Sequence, residues 1–235
     1  GMGYNQYETD GYSNRTNIYT DSSNQLKINS NSISKTLRPN FRFNLDYDLN
    51  KRNTVNFVAQ YNQNEFDNSG FNRYKNINRF DSISKLSERT VATDGYNRNP
   101  SLNFTYTHKG KTAGEQLRVI GSYNIGWNKN VRNFFQEFLN ADDTPTGIDS
   151  TQKQSNDTRN NGYSVVVAYA KILKNNKTSF STGAAYYRSN IHILLTTEFL
   201  KKPENSFQKV DLLSNDFEFH QDVLNARFSI KHIFK

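Results

Sequence analysis

With 235 residues, 34% of them hydrophobic, and a mean hydropathy of −0.87, the chain has no run of about 18 apolar residues, which excludes a transmembrane helix. It has no cysteine, which excludes disulfide staples, Cys-ligated zinc and thiol chemistry, while 17 Phe and 14 Tyr argue against disorder at this polarity. The net charge of +8 would suit nucleic acid, yet Lys and Arg are scattered and cluster only at turns; the charge is read as solvated turns and a charged lumen, with no nucleic-acid partner.

The chain opens Gly1-Met2-Gly3-Tyr4-Asn5 with no apolar leader, so the natural start of an exported protein is expected to lie elsewhere. Residues 1–40 are polar and read as an N-terminal extracellular loop or strand extension. Residues 41–235 read as repeated units of strand, short turn, strand and long loop.

Residues 41–49 carry the cleanest pattern: Phe41, Phe43, Leu45, Tyr47 and Leu49 fall on one face, with Arg42, Asn44, Asp46 and Asp48 on the other. Period two between an apolar and a wet side predicts a strand, and nine tilted residues roughly cross a thin hydrocarbon layer. Asn50-Lys51-Arg52-Asn53 is the first short turn, followed by Val55, Phe57, Ala59 and Tyr61. Leu102, Phe104 and Tyr106 precede a second turn at Lys109-Gly110-Lys111-Thr112, and Leu117, Val119, Gly121, Tyr123, Ile125 and Trp127 follow it. Tyr163, Val165, Val167, Tyr169 and Leu173 precede a third turn at Lys174-Asn175-Asn176-Lys177, and Phe180, Thr182, Ala184 and Tyr186 follow. Leu224, Ala226, Phe228, Ile230 and Phe234 form the last strand, and a fourth turn would fall at Lys235.

Turn starts 59 and 65 residues apart, alternating with long polar connections at 62–100, 128–162 and 189–222, predict the threading of a transmembrane barrel. The fold class is therefore all-β: an antiparallel up-and-down meander, a transmembrane β-barrel or part of one, with long extracellular β-ribbons. Tyr61, Trp127, Tyr163 and Tyr186 sit at the strand ends opposite the short turns, as an interfacial aromatic girdle would. Polar alternation in Ser82-Ile83-Ser84-Lys85-Leu86 and Ile191-His192-Ile193-Leu194-Leu195 predicts that strands run on beyond the membrane.

No phosphate loop, nucleophile elbow, zinc-protease or EF-hand pattern is present, so the chain is read as a non-enzyme without a cofactor. Glu218, His220 and Asp222 share a strand face, and Asn140-Ala141-Asp142-Asp143-Thr144 is an acidic loop; the ordinary polar face and plain turn are the simpler readings of both.

Two segments carry a resemblance: Phe43-Asn44-Leu45-Asp46-Tyr47-Asp48-Leu49-Asn50-Lys51-Arg52-Asn53-Thr54 and Leu102-Asn103-Phe104-Thr105-Tyr106-Thr107-His108-Lys109. With Gly114-Glu115-Gln116-Leu117 and Phe217-Glu218-Phe219-His220-Gln221-Asp222-Val223-Leu224-Asn225-Ala226, the chain from about residue 40 onward resembles the barrel of Bacteroidetes TonB-dependent receptor-like proteins, the outer membrane protein beta-barrel family. The resemblance implies a wall segment of a nutrient-import receptor in the cell outer membrane, whose plug, TonB box and Gly-Leu-Arg-x-Glu strand are not found in this sequence. Expected partners are outer-membrane lipid, the rest of the barrel and plug, TonB in the intact protein, and further copies of the segment itself.

In such a receptor the lumen and external loops meet solute. Aromatic rings suit sugar faces and flat chelates, and Arg suits anionic groups, which makes Tyr74, Arg79, Trp127, Phe134, Phe135 and Arg159 the candidate ligand contacts. The alternative is a soluble or surface-exposed β-sandwich, an adhesin or carbohydrate-binding protein. A sandwich would turn its apolar faces toward each other in a closed core.

Overall fold

A computed structural model describes residues 1–20, 22–173, 177–202 and 204–234. Among the described residues, nine strands form one antiparallel sheet: β1 (Met2–Ile18), β2 (Ser23–Asn50), β3 (Asn53–Ile77), β4 (Ile83–Lys109), β5 (Gln116–Leu139), β6 (Pro145–Ile172), β7 (Thr178–Lys201), β8 (Ser206–Lys209) and β9 (Asn215–His232). Each strand from β1 to β7 pairs with the next, and β9 also pairs with β7, below β8. Among the described residues β1 pairs only with β2, and β9 only with β7, so the sheet is an open wall.

The register places the predicted faces. Leu45 stands opposite Phe57, Phe57 opposite Phe104, Phe104 opposite Gly121 and Gly121 opposite Val165. Directly paired residues share a face, so Phe41, Phe43, Leu45, Leu102, Phe104, Val165, Val167 and Phe228 all lie on one side. Asp46, Asn103 and Arg118 lie on the other. This apolar side is bare: Phe41 is 65% exposed and Phe228 66%. The buried hydrophobic residues among those described are Ile77 and Leu86, at the far ends of β3 and β4. With one sheet and no second layer over the apolar face, the closed core that a sandwich requires is missing.

The long connections are strand almost to their tips. β3 has 25 residues and so spans about 80 Å, whereas 9–11 residues cross a hydrocarbon layer. Residues 62–100 and 128–162 therefore form ribbons closed by tight tips at 78–82 and 140–144. Residues 1–40 supply β1 and the first part of β2, in continuous register with the rest. In the segment 189–222, β7 pairs first with β8 and then with β9, and a single 3-10 turn, Asp211–Leu213, fills the detour between them. Thr197, fully buried, pins that detour: its amide donates to Ser214 Oγ at 3.0 Å and its hydroxyl to the Leu213 carbonyl at 2.9 Å.

The first short turn is as expected, with Asn50 Oδ1 accepting from the Arg52 and Asn53 amides. The second is longer than expected. It runs over residues 110–115 and is closed by Gly110 N–H donating to the Glu115 carbonyl at 2.7 Å. Gly114 takes φ 74° there, a left-handed backbone that favours glycine. Most of the third turn, and Lys235 where a fourth would fall, lie outside the described residues.

Candidate functional site

The apolar side is a band bounded by aromatic residues at both edges, not at one as the strand ends led us to expect. On the edge toward the ribbons, the Tyr61 hydroxyl donates to Gln63 Oε1 at 2.5 Å and the Tyr186 hydroxyl to Asp222 Oδ1 at 2.5 Å, with Tyr163 packed 5.9 Å from Tyr186 and Trp127 beyond them. On the edge toward the short turns, the Tyr106 hydroxyl donates to Asn53 Oδ1 at 2.7 Å and the Tyr169 hydroxyl to Glu115 Oε1 at 2.8 Å. Rings toward the apolar band and hydroxyls toward polar groups are what two water–lipid boundaries demand.

Glu115 organises the second short turn. Its carboxylate accepts from Thr112 Oγ1 at 2.7 Å, Tyr169 OH at 2.8 Å and Lys171 Nζ at 3.1 Å. These donors, led by the Thr112 hydroxyl, hold its pKa down at about 2.

The opposite side of the sheet is mainly polar from β3 to β5, while on β6, β7 and β9 it also carries apolar pairs: Val166 against Ala185, Ile191 against Phe219 and Ile193 against Phe217. Within the band it is a ladder of short hydroxyls and amides, such as Ser122 against Ser164 at 2.7 Å and Asn56 donating to Asn44 and Asp46. Higher, where β4 of one ribbon pairs with β5 of the next, cations and rings gather. The Arg89 guanidinium lies 4.5 Å from the centre of the Phe134 ring and that of Arg132 lies 5.8 Å from it, so one ring serves two cations. Lys85 Nζ lies 4.9 Å from the Phe138 ring. Arg132 Nε donates to Thr93 Oγ1 at 3.3 Å and Gln136 to Ser87 Oγ at 3.3 Å, while Arg89 Nε is buried with no partner among the described residues. Such a surface can hold an anion and stack a flat or sugar-like face.

The sequence candidates divide between the two sides. Phe134 lies in this inner cluster, and Tyr74 joins it through Ser87, which stands opposite Tyr74 on one side and Phe138 on the other. Trp127, Phe135 and Arg159 face outward, Arg159 beside Asp157 at 3.4 Å and directly across from Trp127. Arg79 is at the β3–β4 tip, with its guanidinium 4.7 Å from the Phe80 ring. The six are therefore not one site. Lys85, Arg89, Arg132 and Phe138 were not singled out from the sequence; the parity of each strand once its register is known is the signal that finds them.

Glu218, His220 and Asp222 do share a face, yet each already has a partner. His220 Nδ1 is 2.7 Å from Asn190 Oδ1, Asp222 accepts from Tyr186, and Glu218 lies 3.7 Å from His220 Nε2. The acidic tip closes as a turn. Asp142 caps Thr144, accepting from its hydroxyl at 2.6 Å and its amide at 3.1 Å, which lowers the Asp142 pKa, while Asp143 pairs with Arg73.

Residues 108–235 match the family model described as outer membrane protein beta-barrel family. That span runs from the end of β4 through β9 and covers the second short turn, the β5–β6 ribbon and the part of the band on β5, β6, β7 and β9. No curated protein matches the chain.

Proposed function

The chain belongs to the outer membrane protein beta-barrel family, and from that premise we propose that it is wall of an outer-membrane receptor or transporter of the TonB-dependent kind, serving nutrient uptake. The plug and the TonB contact would be supplied outside the residues described. In this reading the apolar band meets lipid, the short turns face the periplasm, and the ribbons rise outside the cell.

The observation that carries the reading is the two-edged aromatic band backed, from β3 to β5, by a mainly polar face. A lipid-facing wall needs the first, and a wall that lines a water-filled passage needs the second. A binding protein of the adhesin type would need the ribbons alone and has no use for the band.

Trp127, the single tryptophan, sits at the ribbon-side edge and is a built-in depth reporter. The chain is refolded into phosphatidylcholine vesicles brominated at shallow or deep acyl positions. Strongest quenching from the shallow bromines, with the protein floating with the vesicles, is the expected result. Unquenched emission, or a chain that stays in the aqueous phase, refutes insertion. Loss of solute uptake when the matching segment is deleted from a producing cell tests the transport half of the proposal.

A further inference from the structure

The charges of the sheet are sorted by face. Parity follows from the register, so every strand residue from β3 onward is assigned to the apolar-band side or to its reverse. Glu65 and Asp67 on β3, Glu88 and Asp94 on β4, and Glu137 on β5 all stand on the band side. So do Asp149 and Asp157 on β6, Glu198 on β7, and Asp216, Glu218 and Asp222 on β9. Among the described residues of these strands the reverse side carries no carboxylate. On β2, Asp46 and Asp48 are on the reverse side, and Asp46 accepts from Asn44 and Asn56.

That reverse side does carry cations, in two tiers. Lys85 and Arg89 on β4, Arg132 on β5 and Lys201 on β7 form the upper tier on the ribbons. Lys109 on β4, Arg118 on β5, and Arg227 and Lys231 on β9 form the lower tier beside the short turns. None of these cations makes an ion pair with a carboxylate among the described residues. Every band-side arginine of these strands and Lys171 are paired, Arg73 with Glu88, Arg98 with Glu65, Arg159 with Asp157, Lys171 with Glu115 and Arg188 with Asp222, while Lys75, Lys129 and Lys153 are not, among the described residues. Between the tiers the reverse side is neutral, built from residues such as Asn99, Asn124, Asn128, Asn160, Ser122 and Ser164.

Resting on the barrel reading above, we infer that the inner wall selects an anionic, hydroxyl-rich solute, of the class of sulfated or carboxylated oligosaccharides. Uncompensated cations behind a low-dielectric wall focus a positive potential into the enclosed space, and rings of Lys and Arg are how pores favour anions. The upper tier captures: Arg89 and Arg132 hold their positions by stacking on Phe134, which leaves guanidinium N–H groups directed at no carboxylate and free for a sulfate or carboxylate. The amide and hydroxyl ladder then offers donors and acceptors to sugar hydroxyls, and the lower tier draws the anion toward the periplasmic end.

The test measures binding to the full chain in zwitterionic phosphatidylcholine nanodiscs, where the lipid adds no net charge. A sulfated hexasaccharide is compared with neutral maltohexaose of the same length. The sulfated probe is expected to bind, to weaken as salt rises, and to lose about tenfold in affinity when Arg89→Gln and Arg132→Gln are combined. Lys75→Gln with Lys153→Gln, which removes two band-side cations of the same ribbons, is expected to leave binding unchanged. Arg89→Lys with Arg132→Lys keeps the charge and is expected to retain most of the affinity. Equal binding of the two probes, equal loss in both Gln pairs, or a Lys pair as weak as the Gln pair overturns the inference while the barrel reading stands. A chain that does not enter the nanodisc overturns both.

Discussion

The same strands cross two regions, and the regions keep order by different means. In the band the two faces meet different solvents, so each position is either apolar or polar and Phe43 cannot trade places with Asn44. In the ribbons both faces meet water, and cross-strand polar pairs replace the alternation: Arg73 with Glu88 at 3.1 Å, Ser34 with Asn68 at 2.5 Å, Arg89 on Phe134. The backbone ladder is continuous through both, β3 and β4 being in register almost end to end. The difference teaches that strand pairing alone does not require the hydrophobic pattern; the lipid requires it.

Substitutions matched across the two regions break the comparison in order of size. Phe104→Arg, in the middle of the band, is expected to destabilise the membrane-folded state by about 2–4 kcal/mol in a reversible guanidinium titration into vesicles, while Thr105→Arg on the reverse side stays within about 0.5 kcal/mol. Equal costs at the two neighbours would mean that the band does not face lipid. Thr197→Val, in the ribbons, leaves the Leu213 carbonyl without its hydroxyl donor while the backbone amide keeps its bond to Ser214; a loss of about 1–3 kcal/mol is expected, with hydrogen exchange accelerated across 206–214 and unchanged in the band.

A third comparison uses pH. Glu115 has its pKa depressed from 4.5 to about 2, so its contribution to the second short turn is complete above 4.5 and is lost as pH falls toward 2. Stability of the wild type is expected to fall across that window, and Glu115→Gln is expected to flatten the Glu115 part of the fall; an infrared titration of the carboxylate near 4.5 instead would disprove the network. Smallest of all, Phe135→Lys on the band side of the ribbon is expected to shift stability by no more than about 0.5 kcal/mol, which urea midpoints resolve.

What could be read from the sequence follows the same division. The face assignments of Phe41 to Leu49, of Leu102 to Tyr106 and of Val165 to Tyr169 were legible because lipid on one side enforces period two. The extent of β6 up to Pro145 was not, because a strand wet on both faces has no such period and Asn-rich segments read locally as loops, whereas the alternation at 82–86 did point to the start of β4. The second aromatic edge was missed although Tyr47, Tyr106 and Tyr169 were noted as strand residues; only the register shows their level. The inner cluster was missed because its members come from β3, β4 and β5, and cross-strand neighbours are invisible until the pairing is known.

The unbroken pairing of β3 with β4, from Asn53 with His108 to Asn76 with Lys85, has a consequence for how such a chain can change length over evolutionary time. Deleting one residue from the middle of β4 would reverse the sidedness of everything beyond it on that strand. Glu88 and Asp94 would then turn inward and Arg89 outward. Two residues lost together would keep each side chain on its own side, whereas one lost from each of two partners would keep the pairs and turn both outer parts over. Natural variants of this wall should therefore differ in ribbon height by even steps, and odd insertions should collect at the tips, at 78–82 and 140–144, where the chain reverses and sidedness is set anew.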